Sequence, residues 1–503
     1  MKRNRFVACG LALAFIASGP VLRGAETPLA DAAERSDRDE VRKLIAGGQA
    51  ASQSQVDGMT ALHWAAYHDD LEMSRLLVDA GADVKAANRY GVTPLSMSCT
   101  NGNRALVELL LDAGADPNTK LRGDESVLMT AARTGRLGPV QVLLARGADV
   151  NAREHRGQTA LLWAAAEGHT EVVNELLRKG ADFQTPLLSG FTPLFMAVRE
   201  GRTDVVRVLL MAGADVNGPM QVKKASGRAP ARGTTPLILA IENGHFELAV
   251  VLLDTGANPN DQRSGFTALH TLTWVRKPSR GDDESGDPAP TGSGNLDSLK
   301  FVDSLVERGA DVNARLERGA SGRGVLNRAG ATPFLLAAMT DDVPLMRKLV
   351  AHGADPCLSN VDRCTPLMAA AGIGTLAPGE EAGTEDEAMA ALELAIELGN
   401  DVNAVDDNGE TAMHGAAYKS VPRVVELLAK KGAKIELWNR ENKYGWTPLS
   451  IAEGNRPGNF KPSPETIQAI QRAMQAEGPP RPGARPIEDR RPAPAVETTK
   501  SKP

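Results

Sequence analysis

A short motif recurs along this chain at a fixed interval, and that interval constrains the fold more than any other feature. The motif is Thr or Ser, then Pro or Ala, then Leu, and two or three residues later a pair of small side chains. It begins at Thr27 (TPLADAA), Thr60 (TALHWAA), Thr93 (TPLSMSC), Ser126 (SVLMTAA), Thr159 (TALLWAA) and Thr192 (TPLFMAV). It continues at Thr235 (TPLILAI), Thr267 (TALHTLT), Thr332 (TPFLLAA), Thr365 (TPLMAAA), Thr411 (TAMHGAA) and Thr447 (TPLSIAE). The first five steps are 33 residues each. A second marker, Gly-Ala-Asp, follows the first by 21 residues at Gly81, Gly114, Gly147, Gly180 and Gly213. It returns, with variations, at Gly256, Gly309, Gly353, Gly399 and Gly432. A chain of 503 residues with such a period grows by stacking units rather than by enlarging one core. Aromatic residues at 4% are too few for a conventional core of this size, so small Ala and Leu side chains carry the packing.

Each part of the unit has a physical reason. Thr or Ser accepts from a free backbone N–H at a helix start, and Pro beside it suits the first turn. Paired alanines let neighbouring helices approach closely. The Gly-His steps at Gly168-His169 and Gly244-His245 end the short first helix, where Gly takes a left-handed conformation. In the segment Glu171–Leu177, Val172, Leu176 and Leu177 share one face of a second helix. Gly-Ala-Asp stops that helix. About eleven residues then lead to the next Thr, through a hairpin-like turn marked by Asn-Gly or a lone Gly.

This unit, with TPLHxAA, GH and GAD-V/P-N, resembles the ankyrin repeat, from residue 27 to about 477. The resemblance implies an all-α solenoid of about twelve stacked helix-turn-helix units with projecting β-hairpin loops. Unit 1 (27–59) carries Asp31, Glu34 and Arg35 in its first helix, as an N-terminal cap should, and 447–477 forms the C-terminal cap. Steps of 43, 65 and 46 residues mark inserts near 218–233, 276–295, 316–328 and 372–386. They are rich in Gly, Pro and charge and are expected to be flexible. Residues 478–503 hold seven prolines and read as a disordered tail.

The N-terminus reads as a signal peptide over 1–25. Lys2, Arg3 and Arg5 precede an apolar run from Phe6 to Ala17 and small residues beyond it. The run falls short of the ~20 apolar residues needed to span a bilayer. An uncleaved anchor is the alternative, because a cut after Ala25 leaves Arg23 near the cleavage site. Cleavage leaves 53 basic against 63 acidic residues, a net charge of −10. That disfavours nucleic acid and anionic membranes as partners. The expected location is the periplasm or the outside of the cell, and the expected state is a monomer.

Catalytic constellations are not found. Of eight histidines, His63, His270 and His414 fill the TPLH slot, His169 and His245 the GH slot, and His352 ends a helix. His68 and His155 read as surface residues. No nucleophile elbow, P-loop or HExxH occurs. Asp282, Asp283, Glu284 and Asp287 lack calcium-loop spacing. Neither a cofactor nor a metal is expected, and the chain is expected not to be an enzyme. A hydrolase built on the irregular region 267–330 is the competing reading. Cys357 and Cys364 bracket one hairpin and could pair as a disulfide worth roughly 2–2.5 kcal/mol, or remain free thiols. Cys99 lies in an Ala slot and reads as buried and inert.

In proteins that resemble this one, a partner protein binds the concave side, at hairpin tips and at the end of the first helix. Carried onto this chain, the tips are Arg89, Tyr90, Arg122, His155, Arg156, Ser189, Arg232, Arg263, Arg328, Asp362, Asp407, Lys443 and Tyr444. The helix-end positions are Tyr67, His68, Arg133, Thr134, Glu167, Arg199, Glu200, Glu242, Tyr418 and Lys419. Tyr67, Tyr90 and the arginines are of the types enriched at interface hot spots. Arginine on this face of an acidic protein favours an acidic partner.

Overall fold

A computed structural model describes residues 27–222, 232–278, 290–319, 322, 325–379, 382–456 and 461–476. The segment 1–25, the central parts of the inserts, the acidic run 282–287 and the tail lie outside the described residues. Twelve helix pairs stack in chain order, with one extra short helix at Ile435–Trp438. Among the described residues, β-structure is limited to isolated bridges such as Ser54–Thr60 and Lys120–Ser126. The finger loops therefore project as turns rather than extended hairpins.

The helices start and stop where local chemistry requires. Thr60, Thr93, Ser126, Thr159 and Thr192 each accept from the backbone N–H three residues on, opening the first helices of units 2 to 6. Gly168 closes Ala160–Glu167 with a φ of 88°, a conformation glycine adopts without steric cost. The first helices pack on one another as one layer and the second helices as another. Ala65, Ala66, Ala131, Ala132, Ala164 and Ala165 are fully buried, so the close approach of helices extends through the array as one core.

Three recurring hydrogen-bond ladders tie units to their neighbours, each at some of the junctions. In the first, Nδ1 of the TPLH histidine accepts from the Thr60 N–H at 3.2 Å, and Nε2 reaches Val92 O of the following finger at 3.0 Å. His414 repeats this with the Thr411 N–H and Arg440 O. His270 bonds Thr267 Oγ1 and Ala331 O. In the second, a side chain caps the end of the preceding first helix. His169 reaches Arg133 O at 2.9 Å, His245 reaches Arg199 O at 3.0 Å, and Arg202 reaches Ala166 O at 3.0 Å. His68 serves the same end, bonding Glu34 O at 2.8 Å.

The third ladder explains the Asn of the GAD-V/P-N marker. Asn118 donates to Gly147 O and accepts from Asp149 N, and Asn151 does the same with Gly180 O and Asp182 N. Asn217, Asn260, Asn313 and Asn403 repeat this bidentate link. Each such neutral bond contributes about 1 kcal/mol net.

Several finger tips are closed by a side chain of their own. Asn88 Oδ1 accepts from Tyr90 N and Val92 N at 2.9 and 3.0 Å, closing the tip on itself. Asn360, Asp406 and Asn442 close their tips in the same way, and Glu154 does so with its longer carboxylate. Neighbouring tips are also joined by backbone bonds: Arg89 N to Asp57 O, His155 N to Gly123 O, and Asp407 N to Asp362 O.

Candidate partner-binding face

The fingers and the ends of the first helices form one face of the molecule. Units 2 to 6 leave that face open. At the end of Ala61–Tyr67, Trp64, Tyr67 and His68 make a ring cluster with centroids 5.2 to 6.1 Å apart. Tyr67 keeps 50% of its surface exposed. Arg89 stacks on Tyr90 at 4.8 Å, and Tyr90 is 47% exposed. Arg133 lies over Trp163 at 5.6 Å and also pairs with Glu125. Arg199 sits over Phe191 at 4.9 Å and bonds Glu200 at 2.8 Å. Arg122 and Arg156 are exposed at their tips, with His155 beside Glu154 at 2.7 Å. The structure thus gathers Tyr67, His68, Arg89, Tyr90, Arg122, Arg133, His155, Arg156 and Arg199 onto one side of five consecutive units.

Units 9 to 12 present the same positions in a different setting. Tyr418, which holds the slot of Tyr67, is 1% exposed, and Lys419 beside it is buried. Two inserts produce the difference. The loop after Gly372 lies on the first helix of unit 11: a Cβ on Gly372 would sit 2.6 Å from Gly415 O and from Lys419 Cβ. In the insert 316–328, Gly322 O lies 3.1 Å from Tyr444 Oη, 122 residues further along the chain. Leu316, Leu326 and Ile373 are buried, and a Cβ on Gly374 would sit 2.9 Å from Leu326 Cβ. Two sequence expectations need correction here. The described parts of these inserts are packed rather than flexible, because their apolar residues cover the open ends of the helices. Tyr418 and Lys419 are structural, because that cover removes them from the surface.

Beneath the roof lies a group of paired charges, buried or nearly so except for the half-exposed Glu387. Asp341 and Lys419 form a fully buried ion pair, and Lys277 Nζ stands 2.7 Å from Glu387 Oε2. Arg276 holds Asp342 at 2.8 Å. Burial raises the Asp341 carboxyl to about 6, while Lys419 pulls it down. Burial also raises Glu410 to about 7; it accepts from Tyr418 Oη and Asn442 Nδ2, both at 2.8 Å. At the border of the two regions, Glu242 has no carboxylate partner among the described residues, and burial raises it to about 7. Between units 8 and 9, a pocket of about 330 Å³ is lined by Phe266, Trp274, Pro278, Leu336 and Met339 together with Thr273, Arg328 and Thr340.

The remaining reactive groups have structural work. Burial lowers His63 and His245, and brings His270 and His414 down to about 4. Their Nδ1 atoms accept backbone or hydroxyl bonds and their Nε2 atoms reach carbonyls, which fixes a neutral imidazole. Ser293, returning from an insert, donates its N–H to His245 Nδ1 at 2.9 Å. His352 bonds Asp303 at 2.6 Å across second helices. Among the described residues there is no group of three or more metal-ligating side chains, and no helix is long and apolar enough to cross a membrane.

The suggested Cys357–Cys364 disulfide is not formed. Both are free thiols: Cys357 is exposed and directed at Leu398 O, and Cys364 is buried. The reason is positional. Cys357 fills the Asn slot of the third ladder and points to the next unit, while Cys364 precedes the helix cap and points into the core. Cys99 is buried, and desolvation pushes its thiol pKa far up.

Comparison with known families agrees with the architecture. The family "Ankyrin repeats (3 copies)" matches residues 29–120, 128–220 and 383–461, and "Ankyrin repeat" matches 232–263 and 329–361. The chain belongs to the ankyrin-repeat family. Unmatched stretches fall on the inserted units, although unit 8 still folds as the helix pair Ala268–Arg276 and Ser298–Glu307. Among curated proteins, the chain is 32% identical over 180 residues to human ankyrin repeat and SOCS box protein 6, covering 35% of this chain and 39% of that one. It is 31% identical over 144 residues to human neurogenic locus notch homolog protein 1, covering 28% of this chain and 5% of that protein. It is 30% identical over 151 residues to palmitoyltransferase AKR1 of Lachancea kluyveri, covering 30% and 18%. The chain thus spans less than two-fifths of the length of these relatives.

Ankyrin repeats generally mediate protein–protein interaction, and the fold of this chain is consistent with an interaction module.

Proposed function

We propose that this chain is a non-catalytic scaffold or inhibitor. Its partner protein lies along the open face of units 2 to 6. The observation that carries this reading is the contrast between equivalent tyrosines: Tyr67 is half exposed and Tyr418 is covered by the chain itself. An unroofed face with stacked aromatic and arginine side chains offers large rigid contact area at low entropic cost. Arginine on an acidic protein supports an acidic partner. The hydrolase reading of 267–330 draws no support from His270, whose two nitrogens are committed to Thr267 and Ala331. The apolar run 6–17 behind Lys2, Arg3 and Arg5 supports export and action in the periplasm or outside the cell.

Capture from the exported fraction tests this with two variants of the full chain. Tyr67→Ala combined with Arg122→Glu should release the protein that wild type retains, whereas Met211→Ala, an exposed apolar change on a second helix, should retain it. Equal retention by both would overturn the reading. N-terminal sequencing of the exported protein tests removal of the leader.

A further inference from the structure

Trp64 and Trp163 hold the same place in units 2 and 5, four residues after the Thr that opens the first helix, yet only one of them is satisfied. Trp64 Nε1 donates to Gln55 Oε1 at 2.8 Å. The Gln55 amide nitrogen turns to the preceding unit and donates to Asp31 Oδ1 at 2.8 Å and Glu34 Oε2 at 2.9 Å. One side chain thus joins the indole to the carboxylates of the neighbouring first helix. Trp163 Nε1 is shut from solvent and has no hydrogen-bond partner among the described residues. A buried N–H without an acceptor is costly, so an orphan donor beside an open face calls for an explanation.

The residues around Trp163 account for the missing bond and define what would restore it. Glu154 holds the slot of Gln55, but both of its oxygens are committed to its own finger. Oε1 accepts from the backbone N–H groups of Arg156 and Gln158 at 2.8 and 3.0 Å, and Oε2 lies 2.7 Å from His155 Nδ1. Glu167, one turn further along the same helix, is exposed. In the slot of Glu34, unit 4 carries Arg133, so the charge beside the tryptophan is reversed. The Arg133 guanidinium lies 5.6 Å from the centroid of the Trp163 ring. It is part-exposed and reaches Glu125 at 3.4 Å, longer than the ~2.7–2.9 Å of a full charge-assisted bond.

In units 1 and 2 the joining group accepts from an indole and donates to carboxylates, which an amide can do. Between Trp163 and Arg133 both flanking groups are donors, so a group that joins them must accept twice. A carboxylate does so, and its two oxygens match the guanidinium fork.

We propose that Arg133 and Trp163 form the anchoring site for a carboxylate side chain of the partner protein. The long Arg133 side chain shifts over the ring to admit it. One carboxylate oxygen then accepts from Trp163 Nε1 and the other from the guanidinium. This inference rests on the partner-binding reading of the open face and names the group of the partner that is held between units 4 and 5.

The probes are N-acetyl-glutamate N-methylamide and its glutamine counterpart, titrated into the full chain with its tryptophan indoles isotope-labelled for NMR. Trp163→Phe assigns the resonance, and the Trp64 indole is the internal control. The glutamate probe should move the Trp163 indole proton downfield in a saturable way while Trp64 stays in place, and the glutamine probe should leave both unmoved. Arg133→Gln should weaken the glutamate response about tenfold, with the other indole resonances in place to report an intact fold. No shift at Trp163, an equal shift with the glutamine probe, or an unchanged response in Arg133→Gln would overturn the inference. Capture of the partner from the exported fraction separates it from the broader reading. Trp163→Phe and Arg133→Gln should each weaken retention about tenfold. Full retention by both, beside release by Tyr67→Ala combined with Arg122→Glu, would overturn this site and leave the scaffold reading standing. Retention unaffected by any of these substitutions would overturn the reading of the face and the inference with it.

Discussion

Units 2 to 6 and units 9 to 12 share a fold and a set of motif positions, and they differ in what lies over their helix ends. In the first region a strict 33-residue step leaves no chain to spare, so Tyr67, His68 and Arg133 face solvent. In the second, longer steps supply two loops that fold back, bury Tyr418 and enclose Asp341 with Lys419. The difference teaches that exposed surface in a repeat array is set by the spacing between units as much as by the residues within them. A regular unit offers its surface outward. A unit with an insert consumes its own surface.

The largest test of this contrast is Lys419→Ala. It strands Asp341 as an uncompensated buried carboxylate, with an expected cost of about 3–5 kcal/mol at pH 8. Without its partner the Asp341 carboxyl rises further above its unfolded value. The folded state then holds a proton the unfolded state does not, so the cost grows as pH rises and shrinks towards pH 5. Hydrogen exchange should quicken across 412–419 and stay unchanged in 61–67, because coupling in a stack decays with distance between units. Equal loosening of both regions would break the contrast.

Glu242 marks the border and offers a smaller effect. Its raised folded value means that ionisation opposes folding. Wild-type stability attributable to it is therefore fully present below the unfolded value and falls as pH climbs through about 7. Glu242→Gln should remove that slope and stabilise the protein by roughly 1–2 kcal/mol at pH 8, reduced from the full shift for partial exposure. Denaturant titrations at pH 5 and 8 decide it.

Asn151→Ala removes one bidentate link in the open region and should cost about 1 kcal/mol by the same titration. Cys357→Asn refills the vacant rung between units 9 and 10. There Asn400 already bonds Pro356 O at 2.9 Å, so the expected gain is smaller, about 0.5 kcal/mol or less. A Cys357→Asn gain larger than the Asn151→Ala loss would show that the roof depends on that rung.

The legible part of this molecule is the part determined within one unit. Helix starts at Thr60 and Thr159, the left-handed stop at Gly168 and the stacked Ala pairs follow from local capping and packing rules. The recurrence of Asn at 118 and 151 is legible, but its duty is not, since the acceptors Gly147 O and Gly180 O lie 29 residues further on. The work of His68 is not legible because its carbonyl acceptor is 34 residues earlier. The roof was illegible for a stronger version of that reason. Gly322 and Tyr444 meet across 122 residues, and nothing in either segment names the other. Tyr67 and Tyr418 occupy one motif slot and cannot be ranked by sequence.

The most direct measurement is a hydrogen-exchange footprint of the full chain with and without the protein it captures. Protection should concentrate at residues 60–68, 88–91, 121–124 and 154–157, with 316–319, 372–379 and 442–446 unchanged. Protection confined to the roofed segments, with the four open fingers exchanging as in the free protein, would contradict the assignment of the binding face to units 2 to 6.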